Sequence, residues 1–396
     1  MKLAILSDFH LGYAWGTERQ EDSFIQAKEA LDAASSSDVL LVAGDIFDSR
    51  VPRPEVFARA LRLFMNHRSA DSGVHVSSFP RDASLGPRPV VAIFGTHERR
   101  GKGLINPVQA LEAAGFLVCL HCESIVLEKD GERVAIHGMS GVPEQFSKTI
   151  LAEWAPKPIP GCTNILMLHQ NLREYVFSDT SSLALADLPA GFDLIVSGHI
   201  HWSDSMPLQS GGRLLLAGST ICTQQRKSEA GPKRVFFFDT SSKAISSIDL
   251  KSPRPLVLES LSFSDASPSE VLASAESLVK ELSSRQYPKP PLVRLVLEGS
   301  LSKEYAQADV NVSSLYAIAA GKLILSVDKS LGSEKLTVQR KALEELRANK
   351  LSIEELGMKL LASNLSSDGF MPAEELYHLL VDGNTNEVMS HLKGEK

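Results

Sequence analysis

Apolar residues recur along the first 250 positions in short β-rich runs, at 3–6, 39–43, 90–94, 134–136, 165–168, 194–196, 214–217 and 235–238. Their length and their near-absence of polar interruption predict strands buried on both faces. Helical spacing of apolar positions occupies several of the gaps, notably 21–34, 54–67 and 107–114. Strands alternating with helices predict a layered α/β domain spanning residues 1–250. The segment 69–89 is rich in Ser, Gly and Pro and reads as a long solvated loop entering the next strand.

The pattern changes after residues 251–255, which carry two prolines and no periodicity. Strand-like runs at 256–261, 292–297 and 323–327, with an amphipathic helix at 268–284, predict a small α+β module over 256–330. From about 336 to 396 the chain reads as a helical tail. Ser352 and Glu355 are spaced as a capping box before Leu356, Leu360 and Leu361, and a second pattern near Pro372 puts Leu376, Leu379 and Leu380 on one face. So short a helical unit cannot bury both faces alone and is expected to dock on a partner or on the rest of the chain.

At 396 residues the chain exceeds one hydrophobic core, in line with several domains. No stretch approaches the roughly 20 apolar residues of a membrane-spanning helix, and the first residues read as a strand rather than a signal peptide. Cys119, Cys122, Cys162 and Cys222 are too scattered for a disulfide framework, which suits a reducing cytoplasm. The lone Cys119-x-x-Cys122 reads as two small hydrophobes. A formal charge of −7 argues against wholesale polyanion binding, so any contact with nucleic acid must be local.

The candidate chemistry lies just past the strand ends. Asp8 and His10 follow the first strand, Asp45 the second, and His97 follows Gly95-Thr96. His169 ends the run at 165–168, and His199 and His201 follow Gly198. In α/β sheets such positions converge at one rim although they are far apart in sequence. Six or seven Asp and His side chains there require cations among them, and more than one tetrahedral zinc would use. A mixed oxygen and nitrogen shell suits manganese or iron better than magnesium, and manganese is the expectation. A glycine before Asp45, before Thr96-His97 and before His199 is expected to permit the sharp turns that aim these side chains.

The blocks Asp8-Phe9-His10, Gly44-Asp45-Ile46-Phe47-Asp48, Gly95-Thr96-His97-Glu98, His169 and Gly198-His199-Ile200-His201 resemble the five motifs of the calcineurin-like metallophosphoesterases. Gly138-Met139, Gly218-Ser219-Thr220, Gln225-Arg226-Lys227-Ser228-Glu229 and Pro291-Leu292-Val293-Arg294 resemble, within that superfamily, the meiotic-recombination-eleven repair nucleases. The resemblance implies a layered metallophosphoesterase sandwich with a small α+β capping domain and a helical C-terminal tail. It implies two Mn2+ ions per chain, one held by Asp8, His10, Asp45 and His201, the other by Asp45, His169 and His199. His97 takes the position of the catalytic histidine. Two positions depart from the pattern. Thr96 stands where the family has an Asn that gives its amide oxygen to the second metal, so a weaker second site or an intervening water is expected. Asp48 stands where many relatives carry His, and is read as harmless.

The activity implied is manganese-dependent exo- and endonuclease cleavage of DNA in double-strand-break repair. Phosphate contacts are expected from Arg50, Arg53, Arg99, Arg100, Lys102, Arg226 and Lys227, each beside a ligand block. The family further implies a homodimer through the helices at 54–67 and 107–114. It also implies an SMC-like Rad ATPase whose coiled-coil base binds the C-terminal helices, and a cytoplasmic, nucleoid-associated location. Two alternatives stay open: a phosphatase or small-molecule phosphodiesterase of the same superfamily, and a DNA-binding scaffold whose nuclease is weakened by Thr96.

Overall fold

A computed structural model of the chain describes residues 1–68, 71–81, 85–101, 103–176, 182–333, 373–381 and 389. Two compact units emerge, one of Met1–Leu258 with Tyr287–Leu292, the other of Glu259–Gln286 with Val293–Lys396.

The first unit holds two sheets. β1 (Lys2–Leu6), β2 (Val39–Ala43), β4 (Val90–Ile93) and β5 (Val118–Cys119) run parallel, and β12 (Arg234–Asp239) and β13 (Ile245–Asp249) extend them antiparallel, in the order β13-β12-β1-β2-β4-β5. The second sheet runs β10 (Asp204–Pro207), β11 (Arg213–Leu216), β9 (Leu194–Ser197), β8 (Thr163–Leu168), β7 (Glu132–Met139), β6 (Glu123–Lys129), β3 (His75–Ser78). Alternate residues explain the layering. Leu3, Ile5, Leu41, Ile93, Ile136, Ile165 and Val196 share one buried cluster between the sheets. Their neighbours Ala4, Leu6, Leu40, Val42 and Ala92 turn outward onto α1 (Asp22–Ala34), α2 (Pro54–His67) and α3 (Pro107–Ala113). Leu166, Leu168, Ile195 and Leu214 face the other way, with Leu151 of α4 (Glu144–Trp154). Strands apolar on both faces therefore mark a helix, sheet, sheet, helix sandwich.

Local signals set several boundaries. Pro54 opens α2, and α3 starts with Pro107 behind a reciprocal cap between Asn106 and Gln109. One expectation is corrected: segment 69–89 is not wholly loop, because β3 pairs antiparallel with β6 at an exposed edge. Cys119 is buried, Cys122 half-buried, and both are free thiols.

The second unit places β14 (Leu256–Ala266), β15 (Leu292–Leu301) and β16 (Ile324–Ser333) in one sheet. Beside them, α5 (Pro268–Ser284), capped by Ser267 and Glu270, packs with α6 (Ser313–Ala319). In the tail, α7 (Ala373–Val381) carries the pattern that begins near Pro372. The capping box at Ser352 and Glu355 lies outside the described residues. Among these residues no helix is long and apolar enough to cross a membrane.

Candidate metal centre

Five strands from both sheets, β1, β2, β4, β8 and β9, deliver side chains to one place. Asp8, His10 and His201 offer ligand atoms within 4.8 Å of one another, as do Asp45, His169 and His199, and His10, Asp48 and His97. They meet in a cavity of about 640 Å³ whose lining includes His10, Asp45, His97, His199, His201 and Arg226.

The turns that aim these residues differ from the expectation built on glycine. Asp8, His10, Asp45 and His199 themselves adopt left-handed φ, between 46° and 72°. Of the three preceding glycines only Gly44 is left-handed, at 95°. Gly95 and Gly198 serve by lacking a side chain. A Cβ on Gly95 would stand 2.5 Å from the carboxyl carbon and backbone nitrogen of Asp45, and one on Gly198 2.7 Å from His169 Nδ1. Backbone bonds hold the bends: Asp8 N–H donates to Gly44 O and His10 N–H to Asp45 O, both at 3.0 Å.

Each of three histidines has its Nδ1 taken, which turns Nε2 inward. His10 Nδ1 bonds Asp48 Oδ1 at 3.1 Å, and His169 Nδ1 bonds the carbonyl of Ala43 at 2.7 Å. His201 Nδ1 meets Thr223 Oγ1 at 2.8 Å and Glu229 Oε1 at 3.3 Å. Such partners fix the tautomer that leaves Nε2 as a lone-pair donor. The Nε2 atoms of His10 and His201 stand 3.2 Å apart. Among the described residues Asp8 Oδ1 is buried without a hydrogen-bond partner, while His169 Nε2 faces Asp45 Oδ2 at 3.2 Å. Asp45 Oδ1 accepts from His97 N–H at 2.9 Å.

The electrostatics match this crowding. Burial opposes charge on Asp45, but the charge and the hydrogen bond of His169, with the nearby rings of His10 and His97, outweigh it and hold the carboxyl well below its ordinary range. Burial likewise opposes charge on His169, yet the Asp45 carboxylate lifts the imidazole to about 10. His199 is pushed down to about 3 by burial and then by charged His169. An anionic Asp45 and a neutral His199 are donors that a bound cation takes, and such an ion would stand in for the proton that Asp45 holds on His169.

The sequence profile of the calcineurin-like phosphoesterase family matches residues 1–203. The chain belongs to that family. The protein is thus a metallophosphoesterase, an enzyme whose family holds divalent metal ions, and the unpartnered Asp8 Oδ1 together with the inward Nε2 atoms fits such ions. It is similar to proteins named "DNA double-strand break repair protein Mre11". The Methanopyrus kandleri protein is 29% identical over 51% of this chain and 44% of its own length. For Thermoplasma acidophilum the identity is 28% over 77% of this chain and 79% of that protein, and for Sulfolobus acidocaldarius 26% over 80% and 79%. The chain thus spans under half of the first relative and about four fifths of the other two.

Within the metallophosphoesterase site, other expected residues fall unequally. His97, 47% exposed at its side chain, rests Nδ1 on the carbonyl of Asp48 at 3.0 Å. Thr96 is half-buried in the same turn but does not line the cavity. Arg226 lines it, and Lys227 lines an adjoining groove that shares His201, Trp202, Ser228 and Glu229 with it. Arg50, Arg53 and Arg100 are exposed, the last donating to the carbonyl of Ile105, and Arg99 is half-buried. Lys102 lies outside the described residues. Asp48, the other departure from the family pattern, has contacts of its own: its carboxylate meets His10 Nδ1 at 3.1 Å and stands 3.7 Å from His97 Nδ1.

Two buried carboxylates had no role assigned from sequence. Glu98 accepts from Phe47 N–H at 2.7 Å and Gly95 N–H at 2.8 Å, bolting together the turns that carry Asp45 and His97. Burial, and then the nearby negative Asp45, push it up to about 8. Glu229 braces His201 and is held at about 2, the bond from His201 and the charge of Lys233 outweighing burial. Both sit in motif blocks, but a Glu beside His97 or beside Lys227 has the sequence appearance of a solvated surface charge.

Proposed function

We propose that this metallophosphoesterase is a two-metal DNA nuclease of double-strand-break repair that uses manganese. The observation carrying the reading is a pair of ligand groups, Asp8 with His10 and His201 and Asp45 with His169 and His199, in which the Nδ1 atoms of His10, His169 and His201 are locked from behind. Asp8, His10, Asp45 and His201 would hold one ion, and Asp45, His169 and His199 the other, with Asp45 bridging and Thr96 beside the second. A pair of divalent ions supplies Lewis acidity to phosphate oxygens and acidifies an attacking water.

The chain's own residues do the rest. His10, His169 and His201 are presented in the correct tautomer by Asp48, Ala43 O and the Thr223–Glu229 pair. His97, exposed at the cavity mouth and steadied through Nδ1, offers Nε2 to protonate the departing oxygen. Arg226 and Lys227 hold the flanking backbone phosphates at the site and in the groove beside it. Arg50, Arg53, Arg99, Arg100 and Lys102 extend that contact, giving a local cationic surface on a chain of net negative charge.

Residues 1–250 act as the nuclease domain, 256–330 as a DNA-contacting capping domain, and 336–396 as the helical tail for an SMC-like ATPase. The amphipathic α7 supports the last role, with Leu376 buried and Leu380 exposed. The chain pairs with a second copy through α2 and α3; Val51, Leu104 and Ile105, which flank these helices, are 69%, 55% and 64% exposed. The setting is the cytoplasm, on the nucleoid.

The test is to count bound manganese and to assay cleavage of linear duplex DNA, single-stranded DNA and a phosphomonoester side by side. Two ions with cleavage of DNA alone bear the reading out. Turnover confined to the monoester makes the protein a phosphatase, and DNA binding with one ion or none and no cleavage makes it a scaffold.

A further inference from the structure

The chain leaves the first unit through 251–258 and re-enters it through 287–292. One side chain gathers both passages. Arg254 donates from Nε to both oxygens of Asp22, at 2.9 and 2.8 Å, and from Nη1 to the carbonyl of Pro290 at 3.0 Å. Leu292 N–H meanwhile donates to Pro255 O at 2.8 Å, tying the returning strand to the departing one.

From Asp22 a path of hydrogen bonds, buried at Asp22, Arg19 and Cys222, runs to the metal centre. Arg19, itself 7% exposed, donates from Nε to Asp22 Oδ2 at 3.3 Å. Its Nη2 donates to Cys222 O at 2.5 Å, its Nη1 reaches Tyr13 Oη at 3.4 Å, and its guanidinium stands 4.9 Å above the Tyr13 ring. Tyr13 in turn donates to Thr223 O at 2.8 Å. Both groups therefore grip the 222–223 backbone, and Thr223 Oγ1 lies 2.8 Å from His201 Nδ1. A rigid planar fork is what allows one residue to hold a carboxylate and a carbonyl together; a lysine reaches only one.

We propose that Arg19 is a positioning residue for the metal centre, joining the crossover segment at Arg254 to the turn that orients His201, so that a disturbance of that segment alters ion binding at Asp8, His10 and His201. The route is a chain of packed, hydrogen-bonded side chains, and its claim to couple two places is an energetic one. It rests on the two-ion reading of the site but not on the identity of the substrate.

The experiment is calorimetric titration of the full chain with Mn2+, alongside its melting temperature, for Arg254→Gln, Arg19→Lys, Thr223→Val and the double variant Arg254→Gln/Thr223→Val. We expect Arg254→Gln and Arg19→Lys each to weaken one of the two ions by about 3- to 10-fold and to leave the other within about twofold. In the Thr223→Val background Arg254→Gln adds nothing further, because the link it acts through is already cut. Unchanged binding of both ions in Arg254→Gln and Arg19→Lys overturns the proposal. So does an equal weakening of both ions in step with a lower melting temperature, or full additivity in the double variant. Absence of any manganese binding in the parent chain defeats instead the metal reading on which the proposal stands.

Discussion

Gly95→Ala isolates the geometry of the site from its stability. Gly95 does not use left-handed φ, so alanine can adopt its backbone, and the whole effect of the substitution comes from one methyl group. That methyl would stand 2.5 Å from the Asp45 carboxyl carbon and from its backbone nitrogen. Unbonded carbons rest at about 3.5–4.0 Å, so Asp45 must retreat by roughly 1 Å. It cannot do so freely: it is 1% exposed, its carbonyl receives His10 N–H, Oδ1 receives His97 N–H, and Oδ2 faces His169 Nε2. Overpacking of this kind costs about 1–3 kcal/mol of stability.

The loss in ion binding should be larger in proportion. A partner one shell removed from a metal is already worth about 10- to 100-fold in affinity, and here the displaced residue is the expected bridge between both ions. Gly131→Ala is the control. Gly131 has φ +77° in open space, so alanine there carries a backbone cost of about 1–2 kcal/mol with no contact to the site. Manganese titration and thermal melting of the two variants should show similar melting losses and at least about a tenfold fall in affinity for Gly95→Ala alone. If Gly95→Ala holds two ions as tightly as the parent, Asp45 is not the shared ligand and the proposed arrangement of the pair is wrong.

Three further outcomes follow from the same geometry. His97→Asn should keep its ions and bind DNA while cleavage falls by about 10²- to 10⁴-fold; loss of manganese would place His97 among the ligands. Thr96→Asn, which restores an amide oxygen beside the second group, should tighten the weaker ion by roughly tenfold, and unchanged titration curves would show that Thr96 is not what limits that site. His67, remote from the metals, is held down to about 4 chiefly by burial, against an ordinary 6.5. The unfolded chain therefore binds the proton first as pH falls. Stability present above about pH 6.5 is lost down to about pH 4, with about 2 kcal/mol gone by pH 5. Denaturant melts of His67→Gln should show a shallower acid slope than the parent, and parallel slopes would refute the assignment.

The strands that build the site were legible because both their faces are buried, which leaves runs such as Val39–Ala43 and the 165–168 part of β8 free of polar residues. β13, with the sequence Ile-Ser-Ser-Ile-Asp, and the exposed β3 carry no such run; their pairing to β12 and β6 decides their state, and a neighbour in space leaves no local signal. The candidate ligands were legible as strand-end Asp and His. What holds them was not. The acceptors behind His10, His169 and His201 are a carboxylate 38 positions away, a carbonyl 126 positions away and a hydroxyl 22 positions away. Nothing in a linear pattern assigns a backbone carbonyl to a histidine, and so Asp48, read alone, looked interchangeable.

The left-handed turns at Asp8, His10, Asp45 and His199 give this arrangement a physical meaning. A non-glycine residue held there costs about 1–3 kcal/mol and persists only where its surroundings over-determine it. Asp tolerates the conformation better than His, since a short polar side chain can bond locally; Ser7 does bond Asp8, and Asp8 Oδ2 accepts the N–H of His199 at 3.2 Å. The surroundings supply the rest: two packed sheets, the carboxylate of Glu98 across two turns, and backbone bonds from Asp8 and His10 to the Gly44–Asp45 turn. Folding of the sandwich thus meets the cost of the bends before any cation arrives. The free energy of ion binding is then available for holding the ions and orienting a phosphate, not for shaping the turns. For that reason substitutions that relax a turn, like Gly95→Ala, should be read first in ion affinity and only second in melting temperature.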